Sequence, residues 1–168
     1  ETTTLGREGS DYSATLLAEA INANEVQIWT DVPGISKIDP KLVPDAPIIS
    51  KIDYACAEEM ARHGAKILFS KTLEPVVEAG IPVFVGATQA PEKGGTWIEP
   101  GVFSDGVVGV AFHERGDEII VTVVGRYQDE TLFDWKINIS ARRPLSTTLR
   151  LSKERWPAFI EFMREKLF

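Results

Sequence analysis

The sequence is poor in cysteine, histidine and basic charge, and each shortage narrows what the chain can be. One cysteine, Cys56, stands among 168 residues. It cannot make an internal disulfide, which fits a reducing compartment, and a cytoplasmic location is expected. The two histidines, His63 and His113, have no further His or Cys at ligand spacing, so no protein-borne metal set is expected. His63 reads as an exposed or helix-capping residue. Eighteen Lys and Arg against 25 Asp and Glu give a net charge of -7. That excess argues against a sequence-nonspecific nucleic-acid binder, which needs a basic face to release counterions. It leaves room for small anionic ligands held by local donors. No apolar run approaches the length of a membrane span, and the N-terminus has no basic region followed by an apolar stretch. The chain starts at Glu1 without an initiator Met, and it reads as a portion of a longer protein. What is present, 43% hydrophobic and 26% charged residues, is a globular balance that can build a core without staples.

Periodicity divides the chain near residues 99–105. Before that point helices and strands alternate. Ser10 or Asp11 is positioned to cap a helix over Tyr12 to Asn22, with Ala14, Leu17, Ala18 and Ile21 at helical spacing. Val26 to Thr30 reads as a strand closed by the turn Asp31-Val32-Pro33-Gly34. Ile35 to Ile52, with Pro40, Pro44 and Pro47, reads as a long irregular connection of the kind that often carries function. Asp53 caps a helix to Arg62, and residues 66–69 form a strand or the start of another helix. A helix follows from Ser70 or Thr72 to Ala79, stopped by Gly80, and Ile81 to Val85 is a strand. Thr96 to Ile98 is expected at a sheet edge. This alternation predicts an α/β layer with a mostly parallel sheet.

After Pro100-Gly101 the pattern becomes strand-rich. Val107 to Phe112 and Ile119 to Val124 flank a polar turn and predict a hairpin. Ile137 to Ile139 and Thr147 to Leu151 are two further strands. Ser152 is expected to cap a last helix with Trp156, Phe159, Ile160, Met163 and Leu167 on one face. Residues 105–168 thus make a small α+β tail. Arg142-Arg143 reads as a solvated loop rather than an anion site. There is no internal repeat and no low-complexity segment.

Three groups of residues carry chemistry. In Gly6-Arg7-Glu8-Gly9-Ser10-Asp11, small residues lead into a helix, where backbone N–H groups and the helix dipole favour an anion. Arg7 can clamp a carboxylate or phosphate with both arms of its guanidinium. Asp11 can bind Mg²⁺, steer a nucleophile or cap the helix. In Trp29-Thr30-Asp31, polar groups end a strand at the carboxyl edge of a parallel sheet, the edge where such sheets bind ligands. Lys41 follows and offers a point charge to phosphate, or is a solvated turn residue. In His63-Gly64-Ala65-Lys66, Lys66 stands where a helix ends, within reach of phosphate oxygens or simply favourable with the dipole.

The segments Thr3 to Ala14, Ile28 to Ile35, Asp39 to Pro44, Glu59 to Leu68 and Gly80 to Val85 occur in the order and spacing found in aspartokinases, and residues 2–98 resemble that family. Uridylate, acetylglutamate and glutamate 5-kinases share the fold but not this series. The resemblance implies the nucleotide-binding half of a three-layer amino-acid-kinase-like α/β domain. It implies transfer of the γ-phosphoryl of MgATP to the aspartate β-carboxylate, the first step toward lysine, threonine and methionine. Arg7 and Ser10 would then hold the aspartate. Asp11 and Lys66 would face the transferring phosphoryl. Thr30, Asp31, Lys41 and Lys66 would line the nucleotide site. Catalysis would rest on positioning and charge neutralisation.

Three features depart from the family pattern. Glu8 stands where the family has Gly, and Lys41 replaces an Arg and loses its fork geometry. The Lys-Phe-Gly-Gly segment of the family's other half, with most of the aspartate pocket, is not in these residues, so the chain alone is expected to be inactive. In aspartokinases the kinase domain is followed by two ACT-type modules that bind amino-acid effectors and form dimers. Residues 105–168 are expected to be a reduced ACT-like module or a plain α+β appendage. The expected assembly is a homodimer through this tail, with no nucleic-acid or membrane partner. The alternative reading is a non-catalytic regulatory or binding subunit.

Overall fold

In the computed structural model of the chain, residues 9–65, 70–102, 105–127, 132 and 138–168 are described. Helix α1 (Gly9–Ala20) starts earlier than the cap pattern predicts, so Ser10 and Asp11 lie inside its first turn. Asp11 still faces a favourable dipole there. The buried side chains of α1 are Thr15 and Ala18, whereas Leu17 and Ile21 are 61% and 65% exposed. Of the expected apolar stripe, Ala18 is buried, whereas Ala14, Leu17 and Ile21 face outward. Strand β1 (Val26–Thr30) leads into the irregular segment, which ends in the short β2 (Lys51–Ile52). Helix α2 (Tyr54–Arg62) starts as read: the Asp53 carboxylate accepts the Ala55 N–H at 2.8 Å. Helix α3 (Ser70–Ala79), β3 (Val83–Ala87), a 3-10 turn at Pro91–Lys93 and β4 (Gly95–Ile98) complete this part.

The first sheet has the order β1-β3-β4-β2. β1–β3 and β2–β4 are parallel and β3–β4 is antiparallel. β4 is thus an inner strand, not the expected edge. Strand alternation gives the sheet two unlike faces. Val26, Ile28, Val83, Val85, Ile52 and Ile98 form one core with Ala18, Met60, Leu73 and Val76 from the three helices. The opposite face carries Trp29, Phe84 and Trp97, with ring centroids 5.3 and 5.1 Å apart, and Trp29 is 43% exposed.

The tail forms a second, antiparallel sheet from β5 (Gly106–Arg115), β6 (Glu118–Arg126), β7 (Asn138–Arg143) and β8 (Ser146–Ser152), in the order β5-β6-β8-β7. Helix α4 (Trp156–Leu167) packs on one face through Phe159, Met163 and Leu167 against Val110, Val121, Val123 and Leu149. Ser152 does not cap α4. The residue before the helix is Arg155, with no side-chain cap bond, and Pro157 near the start supplies a φ already suited to a helix. The stretch between Gly125 and Trp135, where an ACT module would place a helix, lies mostly outside the described residues.

The two parts share their cores. Val108 and Val124 of the second sheet pack into the first cluster, and Ile38 and Val43 of the irregular segment pack into the second. Polar contacts join them as well. Lys37 Nζ donates to the Leu167 carbonyl at 2.9 Å, completing the end of α4, and Arg164 donates to Asp45 at 2.6 Å. No helix among the described residues is long and apolar enough to cross a membrane.

Candidate functional site

A pocket of about 250 Å³ lies where three of the quoted segments meet. Val32, Pro33 and Gly34 reach it from the end of β1, and Gly64 and Ala65 from the end of α2. Ser36 and Asp39-Pro40-Lys41 form the wall between them. The fourth side is Val110-Ala111-Phe112 of β5.

Local chemistry fixes each wall. Gly34 has φ +135°, and a Cβ there would stand 2.7 Å from Thr96 Oγ1. The same hydroxyl accepts the Ile35 N–H at 2.8 Å. The chain can make this turn under β4 only with glycine. Asp39 then builds the next bend: its carboxylate accepts the Lys41 N–H at 2.9 Å, and its carbonyl accepts from Leu42 and Val43. Lys41 is thereby held at the pocket wall with its side chain exposed.

The predicted site residues are distributed as follows. Thr30 and Asp31 end β1 immediately before the pocket, and the Thr30 hydroxyl donates to Asp31 Oδ1 at 3.1 Å. The Thr88 N–H donates to the Thr30 carbonyl at 2.8 Å, tying the ends of β1 and β3 together. Ser10 and Asp11 open α1, with Ser10 Oγ donating to Asp11 Oδ1 at 3.2 Å. Of these candidates Lys41 lines the pocket, whereas Ser10, Asp11, Thr30 and Asp31 do not. Arg7, Glu8 and Lys66 lie outside the described residues, and Lys66 follows Ala65 directly in the chain.

Sequence reasoning missed two features. The wall from β5 carries no local signal except Gly109, a glycine inside an apolar strand, which can mark close backbone approach. The other feature is Glu59, whose carboxylate accepts from Ser146 Oγ at 2.7 Å and from Arg143 Nη1 at 3.4 Å. Arg143 thus belongs to strand β7 and reaches back to α2, rather than standing in a solvated loop. Burial pushes the Glu59 carboxyl up, but the Ser146 hydrogen bond and the charges of His63, Arg143 and Arg62 outweigh it and hold the group below its ordinary range. His63 follows α2 as its C-cap, and its Nε2 is buried without a hydrogen bond, 3.5 Å from Glu59 Oε2. Burial, more than the neighbouring arginines, pushes its imidazole toward the neutral form, against the attraction of Glu59. Burial, with smaller contributions from Glu99 and Asp53, pushes Tyr54 up to about 12, and its hydroxyl donates to the Ile81 carbonyl at 2.6 Å.

Comparison with known proteins fits this arrangement. The sequence profile of the amino acid kinase family matches residues 1–87. Lysine-sensitive aspartokinase 3 of Escherichia coli is 57% identical over 97 residues, 58% of this chain and 22% of that protein. An aspartokinase of Chlamydia pneumoniae is 52% identical over 98 residues, again 58% of this chain and 22% of the relative. The chain therefore spans about a fifth of the length of these relatives. Among solved structures, E. coli aspartokinase III in complex with aspartate and ADP superposes with a TM-score of 0.64 at 37% identity, covering 91% of this chain and 37% of that one. The aspartate kinase of Clostridium acetobutylicum, at 16% identity, shares the fold over the whole chain and 60% of its own length, with a TM-score of 0.83. A profile match over half the chain establishes that this chain belongs to the amino acid kinase family.

Proposed function

We propose that the chain is the nucleotide-binding portion of an aspartate kinase, residues 1–100, followed by a small α+β tail, residues 105–168. The observation that carries this reading is the meeting of Val32 to Gly34, Lys41 and Ala65 around one pocket. Those positions come from three separate segments, and each stands beside a residue read as nucleotide-binding. ATP would place its phosphates toward Lys41 and Lys66, and its uncharged part in the apolar pocket. Lys41 supplies a point charge rather than a fork, so it neutralises phosphate without fixing its orientation. Thr30 and Asp31, at the carboxyl end of β1, would complete the nucleotide side. Ser10, with Arg7, would hold the aspartate α-carboxylate at the α1 N-terminus. Asp11 would stand near the transferring phosphoryl.

Magnesium fits this donor set. Mg²⁺ bound through nucleotide phosphates needs only one or two protein carboxylates, and Asp31 and Asp11 are both candidates. When bound, the ion would neutralise charge on the phosphates. The protein's own part is to position the acceptor and exclude water.

The tail is proposed as a reduced ACT-like module that pairs two copies and takes an amino-acid effector. β7 is an outer strand with Ile139 42% exposed, which supports pairing at that edge. A cytoplasmic location follows from the same reading. A coupled ADP-release assay tests the division of labour. The isolated chain should give no aspartate-dependent turnover, while a protein that adds a Lys-Phe-Gly-Gly half should give it. Robust turnover by the chain alone contradicts the assignment.

A further inference from the structure

We propose that the C-terminal sheet is part of the nucleotide site, and that Ala111 of β5 sets the size of the base the pocket admits. This deepens the nucleotide reading above and rests on it. The family profile ends at residue 87, yet the pocket is closed by residues 110–112. β5 is held against the kinase part by backbone. The Val110 N–H donates to the Lys37 carbonyl at 2.7 Å, four residues before Lys41. Two glycines allow the approach. A Cβ on Gly109 would stand 2.7 Å from Met60 Cε and 3.0 Å from the Lys37 carbonyl oxygen. A Cβ on Gly64, φ +102°, would stand 3.2 Å from the Phe112 carbonyl oxygen. The strand is thus fitted to the end of α2 and to the segment that carries Lys41.

Ala111 lies on the same face of β5 as Gly109, opposite Thr122, and is 2% exposed. Its methyl is the smallest side chain on that wall. Ala111 lines the pocket, as do its neighbours Val110 and Phe112, and Val110 also packs into the α4 core. The lining is mainly aliphatic and backbone, with Asp39 and Lys41 as its charged members. That chemistry suits a flat, largely apolar ring system with an anionic extension, and a pocket of about 250 Å³ is too small for a folded peptide. A purine nucleotide has this form. A larger residue at 111 should exclude a purine before it excludes a pyrimidine.

The test titrates MgADP and MgUDP into the 168-residue chain, Ala111→Leu and the outer-strand control Ile139→Ala, by calorimetry. The expected result is that Ala111→Leu weakens MgADP at least about tenfold and MgUDP distinctly less, while Ile139→Ala binds as the parent does. Undiminished MgADP binding by a folded Ala111→Leu, or equal loss of both nucleotides, overturns the wall and leaves the nucleotide reading standing. No MgADP binding by the parent chain overturns both. If Ala111→Leu does not fold, photolabelling of the parent with 8-azido-ADP decides. Label on the peptide containing residues 110–112 supports the proposal, and label confined to other peptides defeats it.

Discussion

At the scale of single residues, Glu59 links the two parts of the molecule. Its carboxylate is only 12% exposed, and it is the acceptor for the buried Ser146 hydroxyl. Glu59→Ala leaves that donor without a partner, which costs about 1–3 kcal/mol. Urea denaturation should show a loss of that size, and in a double-mutant cycle with Ser146→Ala the two losses should not add. Full additivity would mean the contact contributes nothing. His63 makes a pH prediction. Its folded-state pKa is lowered, so the unfolded chain binds the proton more tightly. Its contribution to stability is complete above the ordinary histidine value of about pH 6.5 and is lost as the pH falls below that value through the lowered folded-state pKa. Unfolding free energy measured between pH 7.5 and pH 5.5 (on the order of one unit either side of the free histidine value) should fall, and His63→Gln should flatten the slope. The bend that holds Lys41 was readable because Asp-Pro carries turn chemistry in its own residues. The reach of Arg143 to Glu59 was not, because it spans 84 residues of sequence.

At the scale of elements, boundaries were legible where local chemistry decides them and obscure where packing does. Asp53 could be read as a cap because a carboxylate before a helix satisfies a free N–H whatever surrounds it. The same pattern misled at Ser152, since the chain makes another turn before Pro157 and α4 begins at Trp156. β4 reads as an edge strand because its few residues give no sign that β2 pairs with it, and β2 itself is only two residues long. The apolar positions of α1 follow a helical period, yet of these burial takes only Ala18 and adds Thr15. Tertiary placement, not periodicity, chose that face. Gly109 yields a prediction at this scale. The Met60 methyl can swing aside, but the Lys37 carbonyl accepts the Val110 N–H and is fixed. Gly109→Ala should therefore destabilise the chain by about 1–3 kcal/mol. Chemical denaturation would show a lower midpoint, and an unchanged one would contradict the close approach.

At the scale of the whole molecule, the alternation of helices and strands before residue 99 gave the α/β layer, and the β-rich pattern after it gave the second sheet. The joining of the two was hidden. Ile38 and Val43 pack with the tail, and Val108 and Val124 with the kinase part, through contacts that no local pattern encodes. Exposed apolar groups occur in both parts: Trp29 and Ile21 in the first, Ile139 and Phe168 in the second. Self-association is expected through the outer edge of the tail sheet. Sedimentation equilibrium should show a dimer that Ile139→Lys weakens by placing a charge on β7. A strictly monomeric parent, or a dimer indifferent to that change, would move the interface elsewhere.

The central claim, that these residues hold a nucleotide, is tested most directly by calorimetric titration of MgADP into the 168-residue chain and its Lys41→Ala and Lys66→Ala variants. Saturable binding by the parent is expected, with a loss of about tenfold or more in each variant, since each removes one cation from the phosphates. Parent-level affinity in both variants, or no binding by the parent, would contradict it.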